Sequence, residues 1–82
     1  MHYIYIVECK DKTLYTGYTN DIEKRIEKHN KGVGAKYTRG RGPVILKYFE
    51  KFEDKNMAMK RESTIKKLSK NKKLDLIKNS KE

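Results

Sequence analysis

Two runs rich in β-branched and aromatic residues, Tyr3–Cys9 and Thr13–Thr19, stand on either side of Lys10-Asp11-Lys12. A short polar link centred on a turn-favouring Asp makes the pair a β-hairpin. With three residues in the loop, Cys9 faces Thr13, Val7 faces Tyr15 and Tyr5 faces Gly17. Residues opposite one another share a face, as do residues two apart. Tyr5 and Tyr15 then lie diagonally on one face, while Ile4, Ile6 and Leu14 form an apolar set on the other. A two-residue loop would put the tyrosines on opposite faces, so the loop length decides whether the two phenols can meet.

A helix near 20–31 follows. Asn20 and Glu23 form an Asn-x-x-Glu capping pattern, and Gly32 and Gly34 supply the stop. Ile22 and Ile26 make its buried stripe. Arg25 and His29 stand one turn apart beside that stripe, so they project together along its edge. Lys31–Pro43 is an irregular loop with four glycines, and Lys31, Lys36, Tyr37, Arg39 and Arg41 within it are candidates for contact with a polyanion. Glycines let backbone approach a phosphate, and Tyr37 can stack on an unpaired base. The plain alternative is a solvated surface loop. Val44–Phe52 reads as the third strand. Asp54 caps a helix over about 55–68, with Ala58, Ile65 and Leu68 inward and Arg61 and Glu62 on the same stripe. A carboxylate there is costly unless it is paired or holds a cation. Ser69 caps a last helix over about 70–78, with Leu74 and Ile77 inward and Lys72, Lys73 and Lys78 in solvent. Residues 79–82 read as a frayed tail. The expected fold is α+β: a three-stranded antiparallel sheet flanked by helices, one domain spanning residues 1–82.

The chain has 82 residues, about a third of them hydrophobic, and a net charge of +10. At that size it buries only roughly 60–65% of its unfolded surface. The charge favours a polyanionic partner through phosphate contacts and counterion release, although lysine richness alone also serves solubility. The single Cys9 excludes a disulfide within the chain and fits a reducing, cytoplasmic location; it reads as a small core side chain. No apolar run approaches the roughly 20 residues needed to cross a bilayer, and no secretory leader or internal repeat is present.

Tyr3-Ile4-Tyr5, then Tyr15-Thr16-Gly17 with its tyrosine ten positions after Tyr5, then Arg25 on a helix and Glu62 on a later one, resemble the GIY-YIG nuclease domain. The chain departs from the motifs at Tyr3, where they have Gly, and at Thr16, where they have Ile. The resemblance implies a metal-dependent endonuclease acting on DNA, with structured or branched DNA in repair or recombination among its candidate substrates and RNA left open. It also implies one Mg²⁺ or Mn²⁺ ion with Glu62 as its direct protein ligand, the remaining positions filled by water and phosphate oxygens. Arg25 would clamp the phosphate. Either Tyr5 or Tyr15 would be the general base, helped by His29 taking a phenolic proton, since a free phenol titrates near 10. Some members use a late Asn, but neither Asn71 nor Asn79 can be matched to it.

Each of these residues also has a structural reading. Strand tyrosines pack cores, Arg25 can pair with Glu8 or Glu27, His29 suits a helix C-terminus, and Glu62 can pair with Arg25 or Arg61. Their ordered combination favours catalysis. The rival is a nucleic-acid-binding module of the same fold without activity. A third reading is a nuclease whose substrate choice comes from a protein partner.

Overall fold

The computed structural model describes residues 1–35 and 38–80. Its elements are β1 (His2–Glu8), β2 (Leu14–Thr19), α1 (Ile22–Asn30), β3 (Ile45–Phe52), α2 (Lys55–Lys66) and α3 (Lys70–Asn79). The sheet has the order β2-β1-β3, and both pairings are antiparallel. The hairpin register is the expected one: Val7 opposes Tyr15 and Tyr5 opposes Gly17. Its loop closes through Cys9 N–H to Thr13 O (2.8 Å) and Lys12 N–H to Cys9 O (2.9 Å). Lys12 takes a positive φ of 72°, and Asp11 accepts from the backbone N–H and the hydroxyl of Thr13.

The sheet is covered on both faces. Ile4 and Ile6 meet Ala58 and Ile65 of α2 and Ile77 of α3 on one face, all of them buried. Tyr5, Val7, Cys9 and Val44 form a second cluster on the other face, under Ile26 of α1. Every β1 residue from Ile4 to Val7 is fully buried, because this central strand is packed on both sides. The register between β1 and β3 slips between Ile6 and Val7: Ile6 opposes Tyr48, whereas Val7 opposes Leu46. The extra residue is Lys47, a β-bulge. It sends Tyr48 to the α2 side and Leu46 to the α1 side.

Several local expectations are corrected. Asp21, not Asn20, caps α1. Its backbone is extended and its carboxylate accepts from Lys24 N–H (3.1 Å). Thr19 Oγ1 accepts the Asp21 N–H (3.1 Å), the task a capping-box Glu would have performed. Helix α2 stops at Lys66, and Leu68 follows as a partly buried residue on the same core. On α3, Leu76 packs inward, whereas Leu74 is 40% exposed. Lys73 is half-buried, and burial together with the charge of Lys66 lowers its pKa. Asn79 ends α3 and Ser80 caps it, its hydroxyl donating to Ile77 O (2.8 Å), so the helix runs one residue beyond the expected Lys78. No helix among the described residues is long and apolar enough to cross a membrane.

Candidate active site

Tyr5 is the centre of the site. It is the largest fully buried side chain among the described residues. Its ring crosses directly over Gly17, where an added Cβ would press on the phenol oxygen and lie 2.6 Å from Cζ and 3.0 Å from Tyr15 Cε2. Glycine at 17 is therefore what admits both tyrosines. The Tyr5 hydroxyl is 2.8 Å from His29 Nε2 and accepts from Arg25 Nε–H at 3.1 Å. Arg25 also hydrogen-bonds Tyr15, and its partnership with both phenols, Tyr5 foremost, keeps the guanidinium more firmly protonated. The Tyr15 ring lies 6.4 Å from that of Tyr5 and 5.5 Å from that of His29, centroid to centroid. Tyr15 is half-buried, so it alone of the pair meets solvent.

His29 is buried, 1% exposed, despite its place in the last turn of α1. Its Nδ1 is 2.7 Å from Thr38 Oγ1, and Thr38 in turn donates to Ala35 O at 2.9 Å. With its only proton committed there, the Thr38 hydroxyl can accept from His29 Nδ1–H, the 2.7 Å contact outweighing the long 3.5 Å approach of the Ala35 N–H to the same nitrogen. His29 Nε2 is then the acceptor for the Tyr5 hydroxyl. The resulting directional chain runs from Arg25 through Tyr5, His29 and Thr38 to the backbone. Burial, followed by the charge of Arg25, lowers the His29 pKa, which keeps the ring neutral as this arrangement requires. Burial chiefly raises that of Tyr5, with Tyr15 and Glu62 adding to the shift and Arg25 opposing it. Gly34 fits the loop against the ring: a Cβ there would lie 2.5 Å from Nδ1.

Tyr5, Tyr15, Arg25 and His29 are thus brought together, and Glu62 stands near enough for its charge to act on the Tyr5 phenol. The Glu62 carboxylate is 13% exposed and pairs with Lys66 at 3.4 Å. The partners expected for these charges are corrected. Arg61 donates to Glu50 at 2.9 and 3.0 Å, where Tyr48 also donates. Glu8 pairs with Lys47, and Glu27 with Lys31. Although burial opposes it, the bonds from Arg61 and Tyr48 lower the Glu50 pKa.

Of the loop candidates, Lys31 and Arg39 are exposed. Arg41 is tied to Asp11 at 2.5 Å, and its carbonyl accepts from Lys10 N–H at 2.7 Å, so the loop is fastened to the hairpin turn. Lys36 and Tyr37 lie outside the described residues. Thr38 and Gly34 were not anticipated: neither a threonine nor a glycine in a polar loop signals contact with a distant histidine. The described residues contain no cluster of three or more His, Cys, Asp or Glu suited to a metal. A cation here would rest on Glu62 alone, and a lone carboxylate suits a Mg²⁺-type ion, which retains most of its waters.

The GIY-YIG catalytic domain model matches residues 1–75. The chain belongs to the GIY-YIG family. UPF0213 protein CPE1444 of Clostridium perfringens is 65% identical over 77 residues, covering 94% of this chain and 83% of that protein. The solution NMR structure of the UPF0213 protein BH0048 from Bacillus halodurans shares 53% identity, with a TM-score of 0.62 over 94% of this chain and 82% of that one. Protein EF2693 from E. faecalis, also solved by NMR, shares 44% identity with a TM-score of 0.64, over 95% and 83% of the two chains. The GIY-YIG domain is a nuclease domain, so nucleic acid is the substrate class the family implies, and divalent metal ions are its usual cofactors.

Proposed function

We propose that the protein is a metal-dependent endonuclease that hydrolyses phosphodiester bonds of DNA. The observation that carries this reading is the meeting of two phenols, a guanidinium and a neutral imidazole, with one carboxylate in electrostatic reach. Arg25 holds the scissile phosphate and offsets the charge that builds on its oxygens. Tyr15, the phenol open to solvent, passes its own proton to solvent as it takes that of the attacking water. Tyr5 has no solvent access; held by His29, it fixes the guanidinium of Arg25. A Mg²⁺-type ion carried by Glu62 would supply Lewis-acid stabilisation of the phosphate and leaving oxygen. The exposed Lys31 and Arg39 flank the loop that folds over His29 and are available to the DNA backbone.

The test is nicking of branched, nicked and single-stranded DNA with Mg²⁺, comparing the parent with Glu62→Ala. The variant is expected to lose nicking while keeping its DNA affinity within about twofold. Its melting temperature should shift by a few degrees at most, since the pair with the half-exposed Lys66 contributes about 0–1 kcal/mol and truncation relieves the desolvation of a mostly buried carboxylate. Nicking at the parental rate by Glu62→Ala would remove the carboxylate from the chemistry. A parent that binds DNA but cuts none of these substrates would favour the binding-module reading.

A further inference from the structure

A recess of about 380 Å³ opens beside Arg25 at the end of β2, lined among others by Tyr18, Asp21, Lys24, Lys28 and Lys55. We infer that it is a second phosphate site, seating a backbone phosphate adjacent to the scissile one on the same DNA strand; this rests on the nuclease reading above. Lys24 and Lys28 stand one turn apart on α1, so their side chains project to the same side. Lys55 begins α2 and comes from the opposite wall, its ammonium 5.8 Å from the centroid of the Tyr18 ring.

Among the described residues Lys31 sits on Glu27, Lys47 on Glu8, Arg41 on Asp11, Arg61 on Glu50 and Lys66 on Glu62, whereas other exposed lysines, Lys67, Lys72 and Lys78 among them, stand without a carboxylate partner; those around the recess differ in converging on one opening. Among the described residues no carboxylate pairs with Lys24, Lys28 or Lys55. Asp21, the acid in the lining, uses one carboxylate oxygen to cap α1. Four cationic side chains around one opening repel each other, and an anion seated there relieves that repulsion. Because Arg25 belongs to both the recess and the active site, an anion in the recess is a near neighbour of the phosphate being cut. The site is blind to sequence. The Tyr18 ring is stacked on His2 (centroids 5.9 Å apart) and its hydroxyl bonds His2 Nδ1 at 2.6 Å, so the recess offers charge rather than a free ring for a base.

The test measures affinity for labelled single-stranded and nicked-duplex oligonucleotides against salt, with EDTA present so that no cleavage intervenes. Lys24→Gln/Lys28→Gln/Lys55→Gln is compared with Lys67→Gln/Lys72→Gln/Lys78→Gln, three exposed lysines on and before α3. Both triples remove the same charge. The recess triple is expected to bind at least about tenfold more weakly at low salt on every sequence, with the slope of log K against log salt falling by about 2 on single strands. Lys28→Gln alone should give roughly a third of that slope change, which keeps the test valid if the triple folds poorly. Equal losses in both triples, or an unchanged slope in the recess variants, would overturn the proposal. Absence of DNA binding by the parent would instead strike the nuclease reading itself.

Discussion

Adding a single methyl group at Gly17 probes the centre of the site. In Gly17→Ala the new Cβ would lie 2.6 Å from Tyr5 Cζ and 3.0 Å from Tyr15 Cε2, against the 3.4 Å of ordinary contact. The Tyr5 ring must retreat by most of an ångström, yet it is fully buried and has no free space to enter. Overpacking of this kind costs about 1–3 kcal/mol. Lifting the phenol off His29 and Arg25 forfeits about 0.5–1.5 kcal/mol for each hydrogen bond. The lower backbone entropy of alanine returns about 0.5–1 kcal/mol. The net loss is about 2–4 kcal/mol, and each kcal/mol lowers the melting temperature of a domain this size by about 4–8 °C. Thermal unfolding by circular dichroism should therefore show a fall on the order of 10–30 °C. Gly42→Ala is the control, because a methyl there meets nothing within 4 Å. A Gly17→Ala protein that melts with the parent would mean that Tyr5 does not lie across Gly17, and the site geometry built on that crossing would fail.

Two further outcomes follow from buried polar groups. Folding keeps His29 neutral with a lowered pKa, whereas the unfolded chain protonates it below about 6.5. Stability is therefore full above that value and declines as pH falls toward the folded pKa, with a limiting slope of about 1.4 kcal/mol per pH unit for one proton. Melting curves between pH 7 and 5 should show this decline and its loss in His29→Gln; an equal decline in the variant would assign it elsewhere. Thr16 is 2% exposed, and its hydroxyl has no partner among the described residues. Thr16→Val should raise stability by about 1–2 kcal/mol, since an unsatisfied buried hydroxyl carries a desolvation penalty of that order; a lower melting temperature would show that the hydroxyl is satisfied.

What was legible in the sequence was local. The three-residue turn fixed the register that joins Tyr5 to Tyr15, and the i, i+4 spacing placed Arg25 and His29 on one edge of α1. Glu62 stood out because a carboxylate interrupted an apolar stripe. The missed features depend on contacts between distant segments. The bond between His29 and Thr38, the pressing of Gly34 on the imidazole and the meeting of Arg61 with Glu50 depend on how a loop or helix folds back. No periodicity encodes such contacts. The bulge at Lys47 escaped notice because Val44–Phe52 reads as an unbroken strand, although its partner residues show that the pleat shifts within it. Asn20 and Asp21 are both good caps, and Thr19 tipped the choice by taking the Asp21 N–H.

The burial of Tyr5 bears on how relatives of this chain should be read. Tyr5 is at once a core residue and a site residue, and His29 is locked to it in the interior. A relative of this fold without nuclease activity would still need both to remain folded, so their retention says little about catalysis. Tyr15 and Glu62 are held less tightly by packing and can drift once the chemistry is no longer selected. In a chain this small, the members of the site that do not hold the core together are the ones whose loss would mark an inactive protein.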